Sequence, residues 1–398
     1  MRLSLVTDTF LPEVNGVTTV LAAMARGLRA RDHAVQVVAP AYGGAVDDAA
    51  GVYRVPSVAC PRYPAVRLSW PIGRGIGGAL ARFGPDVVHV VTEGPIGAFG
   101  HRWARRARVP LVTSFHTDFP RYAAHYLGPW AVKPVCRYLR WFHRQAALTH
   151  TPSDVTCAEL RALGVPRAVV WGRAVDCTLF RPARRDEHRR RALAPRGEIV
   201  VLHVGRLAVE KDVGTLVAAF EYAGAALGSA AALCVAGDGP EAESVRRALP
   251  FATHLGFVGR ARLADLYADA DLFVFPSRTE TCGLVALEAM ASGLPVIAAD
   301  QGGVRDNVRD GITGRLVRAG DAEAFGRAIV QLVRDDTERR SMGQAARAFA
   351  VTRDWSAALD DLVLHYRAAG QPQGGMTNAL TASPGVAPIR CPASTSVG

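Results

Sequence analysis

Short apolar runs alternate with longer amphipathic stretches along most of the chain. Five runs in the first half end in polar or turn residues: LSLVTD, AVQVVAP, DVVHVV, PLVTSFH and LTHTPS. Six more follow in the second half: IVVLHVG, AALCVAG, THLGFVG, LFVFPS, PVIAAD and GRLV. Apolar runs separated by helical stretches, such as 17–31 and 96–108, are typical of parallel strands buried between helices. The pattern therefore predicts an α/β fold with two doubly wound domains.

The alternation breaks between the two series, at RPARRDEHRRRALAPRG. We predict a first domain over residues 1–178, a surface linker over 179–197 and a second domain over 198–352. A closing C-terminal helix is predicted over 353–370. From 371 to 398 the only charged residue is Arg390, and Pro, Ser, Thr, Gly and Ala dominate, which predicts a disordered tail.

Composition indicates a globular protein with little sign of a membrane or secreted class. Of the 398 residues, 49% are hydrophobic and 21% are charged. The sequence shows no run of about 18 apolar residues, so no transmembrane helix is predicted. The N-terminus has an acidic residue where a signal peptide needs an unbroken apolar core, which predicts a cytoplasmic protein. The seven cysteines form no CxxC pair, so neither a zinc site nor a redox motif is predicted.

The net positive charge of the chain comes entirely from its first 175 residues. Residues 1–175 contain 21 Arg and Lys and 10 Asp and Glu, a net charge of +11 that equals the charge of the whole chain. The rest is therefore neutral. This asymmetry predicts an anionic partner for the first domain only.

Two cations follow the first strand of the second series. In HVGRLAVEKDVGTL, Arg206 and Lys211 come after a strand that ends near Gly205 and before a helix that begins near Val213. Open parallel sheets bind ligands at the carboxyl ends of their strands, and two cations near a helix N-terminus suit a diphosphate. The alternative is an exposed loop in which Lys211 pairs with Glu210.

The stretch ETCGLVALEAM carries two glutamates eight positions apart. Glu280 lies in the loop after the strand LFVFPS, and Gly283 begins a short helix. Glu288 falls on the apolar face of that helix, with Leu284, where an unpaired carboxylate is costly. A sugar or ribose diol, a backbone N–H or an arginine would each satisfy it.

The first domain offers its own polar groups at strand ends. Asn15 and Gly16 precede a helix, so the loop either presents backbone N–H groups to the cleft or serves as an ordinary N-cap. His116, in SFHTDFPRY, ends another strand beside Asp118. A histidine is often structural, but this position favours contact with a polar substrate.

Two further patterns resemble binding motifs and are rejected. GRGIGG, at 73–78, fits GxGxxG but follows a Pro-rich stretch and lacks the downstream acidic residue. DAD, at 269–271, precedes its strand and so lies at the wrong end of the sheet. No metal site is predicted there.

A basic amphipathic helix is predicted over 130–147. One face carries Lys133, Arg137, Arg140 and Arg144, and the other carries Val135, Tyr138, Leu139 and Phe142. The simple interpretation is a solvated basic face over a packed apolar one. Because the helix belongs to the basic half, we also expect attraction to anionic lipid headgroups.

Together these motifs resemble retaining glycosyltransferases of family 4, which have the GT-B fold. The resemblance rests on NGV, VGRLAVEK, AGDGP and the E-x7-E of Glu280 and Glu288, and it covers about residues 1–368. TDTFLPEVNGVTTVL, FHTDFPRYAAHY and WGRAVDCTLFRP are most similar to GDP-mannose-dependent α-mannosyltransferases and to sulfoquinovosyl-diacylglycerol synthases. The family fold implies two Rossmann-like domains that face a central cleft.

The resemblance also implies roles for single residues. Arg206 and Lys211 would bind the donor diphosphate, Glu280 the transferred sugar and His116 the sugar near its reacting carbon. The nucleotide sugar would further contact Asn15, Gly16, Gly205, Val258, Gly283, Leu284 and Glu288, with Val258 against the base and Glu288 on the ribose. Neither a cofactor, a metal nor a protein nucleophile is expected.

The implied reaction moves a hexose, mannose from GDP-mannose, onto a glycolipid or lipid-linked acceptor. The enzyme would bind the anionic inner face of the plasma membrane peripherally. A UDP-sugar donor, of the sulfoquinovosyl kind or with a soluble inositol acceptor, stays open, as does a sugar-nucleotide epimerase of GT-B shape. A binding module without catalysis conflicts with the intact cations and glutamates, and a nucleic-acid partner conflicts with two strand-end phosphate loops.

Overall fold

The computed structural model describes residues 1–42, 51–60, 63–69, 74–172 and 174–371. All of the predicted tail except Gln371 lies outside these residues. The remaining chain forms two parallel sheets with helices on both faces, as the alternation predicts.

The first domain contains a seven-stranded parallel sheet in the order β3-β2-β1-β6-β7-β8-β9. Its strands are β1 Arg2–Val6, β2 Ala34–Pro40, β3 Val52–Val55, β6 Val87–Val90, β7 Leu111–Ser114, β8 Leu148–Thr151 and β9 Ala168–Val170. Two further strands, β4 Ser57–Cys60 and β5 Tyr63–Ser69, pair antiparallel outside this sheet. The central strands are buried on both faces, which explains their unbroken apolar runs.

Six helices of the first domain connect these strands: α1 Gly16–Arg29, α2 Arg74–Phe83, α3 Pro95–Ala107, α4 Phe119–Tyr126, α5 Val132–Arg144 and α6 Asp154–Ala162. Helix α1 begins where the sequence predicts, because Asn15 and Thr18 form a reciprocal capping box. Its inner face buries Leu21, Met24 and Leu28 against the sheet. The last five residues of GRGIGG lie inside α2 and not in a strand-to-helix turn.

The second domain contains a six-stranded parallel sheet in the order β12-β11-β10-β13-β14-β15. Its strands are β10 Ile199–Val204, β11 Ala231–Ala236, β12 Thr253–Gly256, β13 Leu272–Phe275, β14 Val296–Ala299 and β15 Gly314–Val317. Its helices are α7 Glu187–Leu193, α8 Val213–Leu227, α9 Ala242–Ala248, α10 Arg260–Asp269, α11 Leu284–Ala291, α12 Ala322–Arg334 and α13 Asp336–Val351. This strand order reverses direction between β10 and β13.

The last helix, α14 Trp355–Ala369, returns to the first domain. Its Leu359, Leu362 and Tyr366 belong to the same core as β1 and α1. The chain crosses between the domains twice and the crossings touch, because the Val175 N–H donates to the Arg353 carbonyl over 2.9 Å. Val175 already packs in the core of the second domain.

One apolar segment was not recognised as such from the sequence. Residues Val213–Ala230 are long and apolar enough to cross a membrane by length and composition, and 39% of this stretch is buried. The segment comprises α8 and the turn after it. Leu216, Ala219 and Phe220 pack fully buried in the second domain's core, and core helices of globular domains meet the same criteria.

Candidate active site

The predicted site residues cluster where the strand order reverses, which is where doubly wound sheets bind ligands. In the second domain the loops after β10 and β13 leave neighbouring strands side by side. The first loop carries Arg206 and Lys211, and the second carries Glu280 and leads into α11 with Glu288. The sheet therefore places the two loops side by side, and Lys211 of the first contacts Glu280 of the second.

Lys211 reaches from one loop to the other. It ends a 3-10 helix over Val209–Lys211, and its Nζ lies 2.9 Å from Oε2 of Glu280. It is not paired with Glu210, whose carboxylate accepts from Tyr126 instead. Burial lowers the pKa of Lys211, but the charge of Glu280, with Tyr122 and Glu210, outweighs the effect of burial. The pKa of Lys211 is therefore raised. The ammonium is therefore held charged at the bottom of the cleft.

The loop with Glu280 is fixed through its backbone. Gly303 donates its N–H to the Glu280 carbonyl over 2.7 Å, and Asn307 donates its side-chain amide to the Cys282 carbonyl over 2.6 Å. A Cβ on Gly303 would lie 1.9 Å from the Thr281 carbonyl oxygen, so only glycine permits this approach. Gly283, at a φ of 74°, then caps α11, whose first N–H groups have no partner within the helix.

The AGDGP turn supports the loop that carries Arg206. Leu207 donates its N–H to the Asp238 carbonyl over 3.0 Å. A Cβ on Gly237 would lie 1.8 Å from the carbonyl oxygen of Gly205. The glycines of this turn therefore allow the close backbone approach of the neighbouring loop. Arg206 itself is exposed at the cleft.

Glu288 points inward from α11 and is almost fully buried. Its Oε1 accepts from Nη1 of Arg260 over 2.9 Å. Burial raises the pKa of Glu288 to about 7, although the charge of Arg260 opposes the shift. Sequence reasoning allowed an arginine partner but did not identify Arg260, which begins α10 just after Val258 and Gly259. Val258 is half-buried in the segment before α10.

The first domain faces these loops with the N-terminus of α1 and with His116. Gly16 approaches Leu284 so closely that a Cβ would lie 3.7 Å from Cδ1 of Leu284. The side chain of Asn15 accepts from the Thr18 N–H and donates to Thr9 and Glu13. The side chain of Asn15 is therefore the N-cap of α1, the second of the two predicted alternatives.

His116 lies against the loop of Glu280, since its carbonyl accepts from the Thr281 hydroxyl over 2.8 Å. Its Nε2 is buried and has no hydrogen-bond partner among the described residues. Burial lowers the pKa of His116 to about 4, so the ring is neutral at physiological pH. Asp118, by contrast, is occupied as the N-cap of α4. A neutral imidazole with an unused nitrogen suits a hydroxyl-rich ligand.

Helix α4 bridges the cleft, a contact that the sequence did not indicate. Tyr126 donates its hydroxyl to Oε2 of Glu210 over 2.8 Å, next to Lys211. A cavity of about 300 Å³ separates α4 from this loop and is lined in part by Tyr122 and Arg278. The cavity is also lined by Glu210 and Thr279, the sequence neighbours of Lys211 and Glu280.

The remaining acidic cluster of the sequence has a structural role. Asp269 pairs with Arg189 over 2.9 Å, and Asp271 pairs with Arg190 over 2.7 Å, so both carboxylates tie α7 to the amino end of β13. Within the described ranges, no group of three or more His, Cys, Asp or Glu side chains is placed to hold a metal ion.

The basic helix has the predicted faces. A 3-10 turn at Pro129–Ala131 precedes α5, so the helix begins two residues after Trp130. All four predicted basic residues are exposed, and Leu139 and Phe142 are buried. Tyr138 is an exception, since it is exposed at the boundary and donates its hydroxyl to the Glu93 carbonyl.

Comparison with known proteins supports the same interpretation for both halves of the chain. The family model for Glycosyltransferase Family 4 matches residues 14–179, and the model for Glycosyl transferases group 1 matches residues 184–349. A GDP-mannose-dependent alpha-mannosyltransferase of Mycobacterium tuberculosis is 37% identical over 92% of this chain and 97% of its own length. A sulfoquinovosyl transferase of Arabidopsis thaliana is 36% identical over 76% of this chain and 60% of its own.

The fold has solved counterparts. Sucrose-phosphate synthase from Thermosynechococcus elongatus superposes with a TM-score of 0.75 at 21% identity, covering 92% of this chain and 98% of that chain. At this identity the match establishes the two-domain GT-B arrangement alone. The family models, the similarity to the mannosyltransferase and the shared fold together show that the chain belongs to glycosyltransferase family 4 and is a glycosyltransferase of the GT-B fold.

Proposed function

We propose that the enzyme transfers mannose from GDP-mannose, with retention of configuration, onto a glycolipid or lipid-linked acceptor at the inner face of the plasma membrane. The observation that carries this proposal is the ion pair of Lys211 with Glu280 between the loops after β10 and β13, in a chain that is 37% identical to a GDP-mannose-dependent alpha-mannosyltransferase over 92% of its length.

The donor lies along α11 in this proposal. The diphosphate binds Arg206, Lys211 and the N–H groups after Gly283, and the mannose lies by Glu280 and His116. The ribose hydroxyls bind Glu288, the fifth residue of α11. The base then lies beside Val258.

The reaction needs charge stabilisation more than a nucleophile. The bond between the anomeric carbon and the diphosphate oxygen breaks, and the acceptor oxygen bonds to the same face of that carbon. The acceptor proton passes to the leaving diphosphate. Arg206 and Lys211 stabilise the negative charge that develops on the leaving group. We propose that these cations replace a divalent metal, so transfer should continue in EDTA.

The lipid acceptor is supported by the surface around α4 and α5. Residues 119–153 contain no Asp or Glu. Leu127 and Trp130, at the turn between the two helices, expose 59% and 73% of their surface beside the basic face of α5. Exposed aromatic residues next to basic ones suit the boundary of an anionic membrane. A lipid held there would reach the cleft along α4, through the cavity beside Tyr122.

Reversing charge on α5 tests the membrane part. Since each basic residue near an anionic surface contributes about 1 kcal/mol, Arg137→Glu with Arg140→Glu should weaken sedimentation with phosphatidylglycerol vesicles at least about tenfold. GDP affinity should stay unchanged. Arg246→Glu with Arg247→Glu, on exposed α9 of the second domain, is the control of equal charge. Equal loss in both variants, or no binding by the wild type, would refute the assignment.

The pKa of Glu288 predicts how donor affinity depends on pH. Ribose hydroxyls donate to the ionised carboxylate, so binding favours deprotonation of a group whose pKa in the free enzyme is about 7. Nucleotide affinity should therefore rise as the pH increases toward that value and level off above it. Because the terminal phosphate also titrates, Glu288→Gln is the matched control. Calorimetry should show a weaker pH dependence in that variant, and identical profiles would contradict the role of Glu288.

Binding of GDP and UDP, measured side by side by calorimetry, tests the donor. Preference for GDP supports the mannosyltransferase proposal. Preference for UDP would favour a UDP-sugar transferase, which the similarity to the sulfoquinovosyl transferase keeps as the second candidate. Transfer from GDP-mannose in a membrane extract then tests the acceptor, and isomerised donor without acceptor would indicate an epimerase.

A further inference from the structure

The guanidinium of Arg260 has no part in the roles described so far, although it lies at the nucleoside end of the cleft. Its Nη1 donates to Glu288, and its Cζ lies 4.9 Å from the ring centroid of the buried Phe180. The Arg260 side chain is 38% exposed, whereas that of Glu288 is 8% exposed. Arg260 therefore covers the carboxylate on one side and faces open space on the other.

The proposed position of the nucleotide sugar places its base near Arg260. If the diphosphate binds at Lys211 and the ribose at Glu288, as the proposed function requires, the base lies beyond the ribose. Arg260, the first residue of α10, contacts Glu288 directly, and Val258 precedes it in the segment that joins β12 to α10. The inference below rests on the proposed function in this respect.

The hydrogen-bonding capacity of Arg260 exceeds what the protein uses. A guanidinium carries five N–H donors in a planar fork, and among the described residues only Glu288 is seen to accept from it. Guanine presents two acceptors, O6 and N7, on one edge, which a guanidinium can bind bidentately. Uracil presents no such pair, because its O4 acceptor is next to the N3–H donor. Stacking on Phe180 orients the fork.

We propose that Arg260 is a specificity-determining residue that binds the O6 and N7 edge of guanine and so selects guanosine over uridine donors. Glu288 holds the guanidinium at one end and binds the ribose with its remaining lone pairs. The pair thus recognises the nucleoside as a unit.

Arg260→Lys tests this assignment because it keeps the positive charge beside Glu288 but removes the fork. GDP affinity, measured by calorimetry, should fall about five- to a hundredfold, the range expected for a bidentate contact to guanine. UDP affinity should change far less, so the preference for GDP over UDP, measured as the ratio of their association constants, should fall. Arg262→Lys, at an exposed position of the same helix, should leave both constants unchanged. Binding of inorganic diphosphate should be the same in all three proteins.

A modified nucleotide makes the test independent of folding. The 7-deaza analogue of GDP lacks the N7 acceptor, so it should bind the wild type more weakly than GDP does. It should bind Arg260→Lys almost as well as GDP does, because coupled changes at one contact are not additive. Equal losses of GDP and UDP in Arg260→Lys, or additive effects of the analogue and the substitution, would overturn the assignment of Arg260 alone. Preference of the wild type for UDP would overturn the GDP donor and this proposal together.

Discussion

Lys211→Ala should reduce kcat about a thousandfold and should also weaken GDP binding. The ammonium is held charged and 2.9 Å from Glu280, at the point where two strand-end loops meet. Removing one preorganised group that stabilises developing charge costs about a hundred- to a thousandfold in kcat. Here the substitution also leaves Glu280 without its counter-charge beside an anionic diphosphate. We therefore expect the upper end of that range, measured by steady-state transfer from GDP-mannose.

The sequence offers a matched control for this experiment, because Lys133 is the only other lysine. Lys133→Ala, on the exposed face of α5, should bind GDP as the wild type does. Lys211→Arg keeps the charge and should recover part of the binding loss. GDP affinity that is unchanged in Lys211→Ala would show that this lysine does not bind the diphosphate.

Glu280→Ala should abolish most turnover and spare nucleotide binding. The carboxylate lies at the sugar end of the proposed donor site, and its backbone is fixed by Gly303. Its loss removes hydrogen bonds to the transferred sugar, which we expect to lower kcat about a hundred- to a thousandfold. Lys211 loses a competing partner at the same time, so GDP should bind equally well or more tightly. The measurement is kcat from transfer kinetics beside the GDP Kd from calorimetry.

Two further variants serve as controls for this experiment. Glu280→Gln keeps one carbonyl oxygen and should retain more activity than Glu280→Ala, whereas Glu221→Ala, exposed on α8, should behave as the wild type. A fully active Glu280→Ala enzyme would remove Glu280 from the sugar site. Parallel loss of kcat and GDP affinity would mean that the loop itself had collapsed.

The strands of the site were predictable because each is buried on both faces and reads as one apolar run. All six strands of the second sheet follow from the pattern, and so do the positions of Lys211 and Glu280 in the loops after adjacent strands and of Glu288 on the helix that follows. The first sheet was predicted less completely. Strands β3 and β9 lie at the two edges of the sheet and are mostly half-buried, so neither gives the long apolar run of a central strand, and the β4 and β5 pair interrupts the alternation.

The partners of the site residues depend on contacts between distant parts of the chain. Arg260 and Glu288 belong to different helices, and Tyr126 reaches Glu210 from the other domain. Each pairing depends on how α4, α10 and α11 pack, which the spacing of residues in the sequence does not predict. The apolar face of α14 likewise predicts a packed helix without saying which domain it completes.

The position of α14 has a consequence for how the protein is made. The first domain leaves the ribosome early, but its core includes Leu359, Leu362, Val363 and Tyr366. Until the last helix has been synthesised, the surface that α14 covers stays open on a domain whose other elements are complete. Domains generally fold in order during synthesis, and exposed apolar surface at that stage favours aggregation. The first domain can therefore complete its core only after α14 has been synthesised, and a nascent chain that ends before Trp355 leaves the apolar surface under α14 exposed.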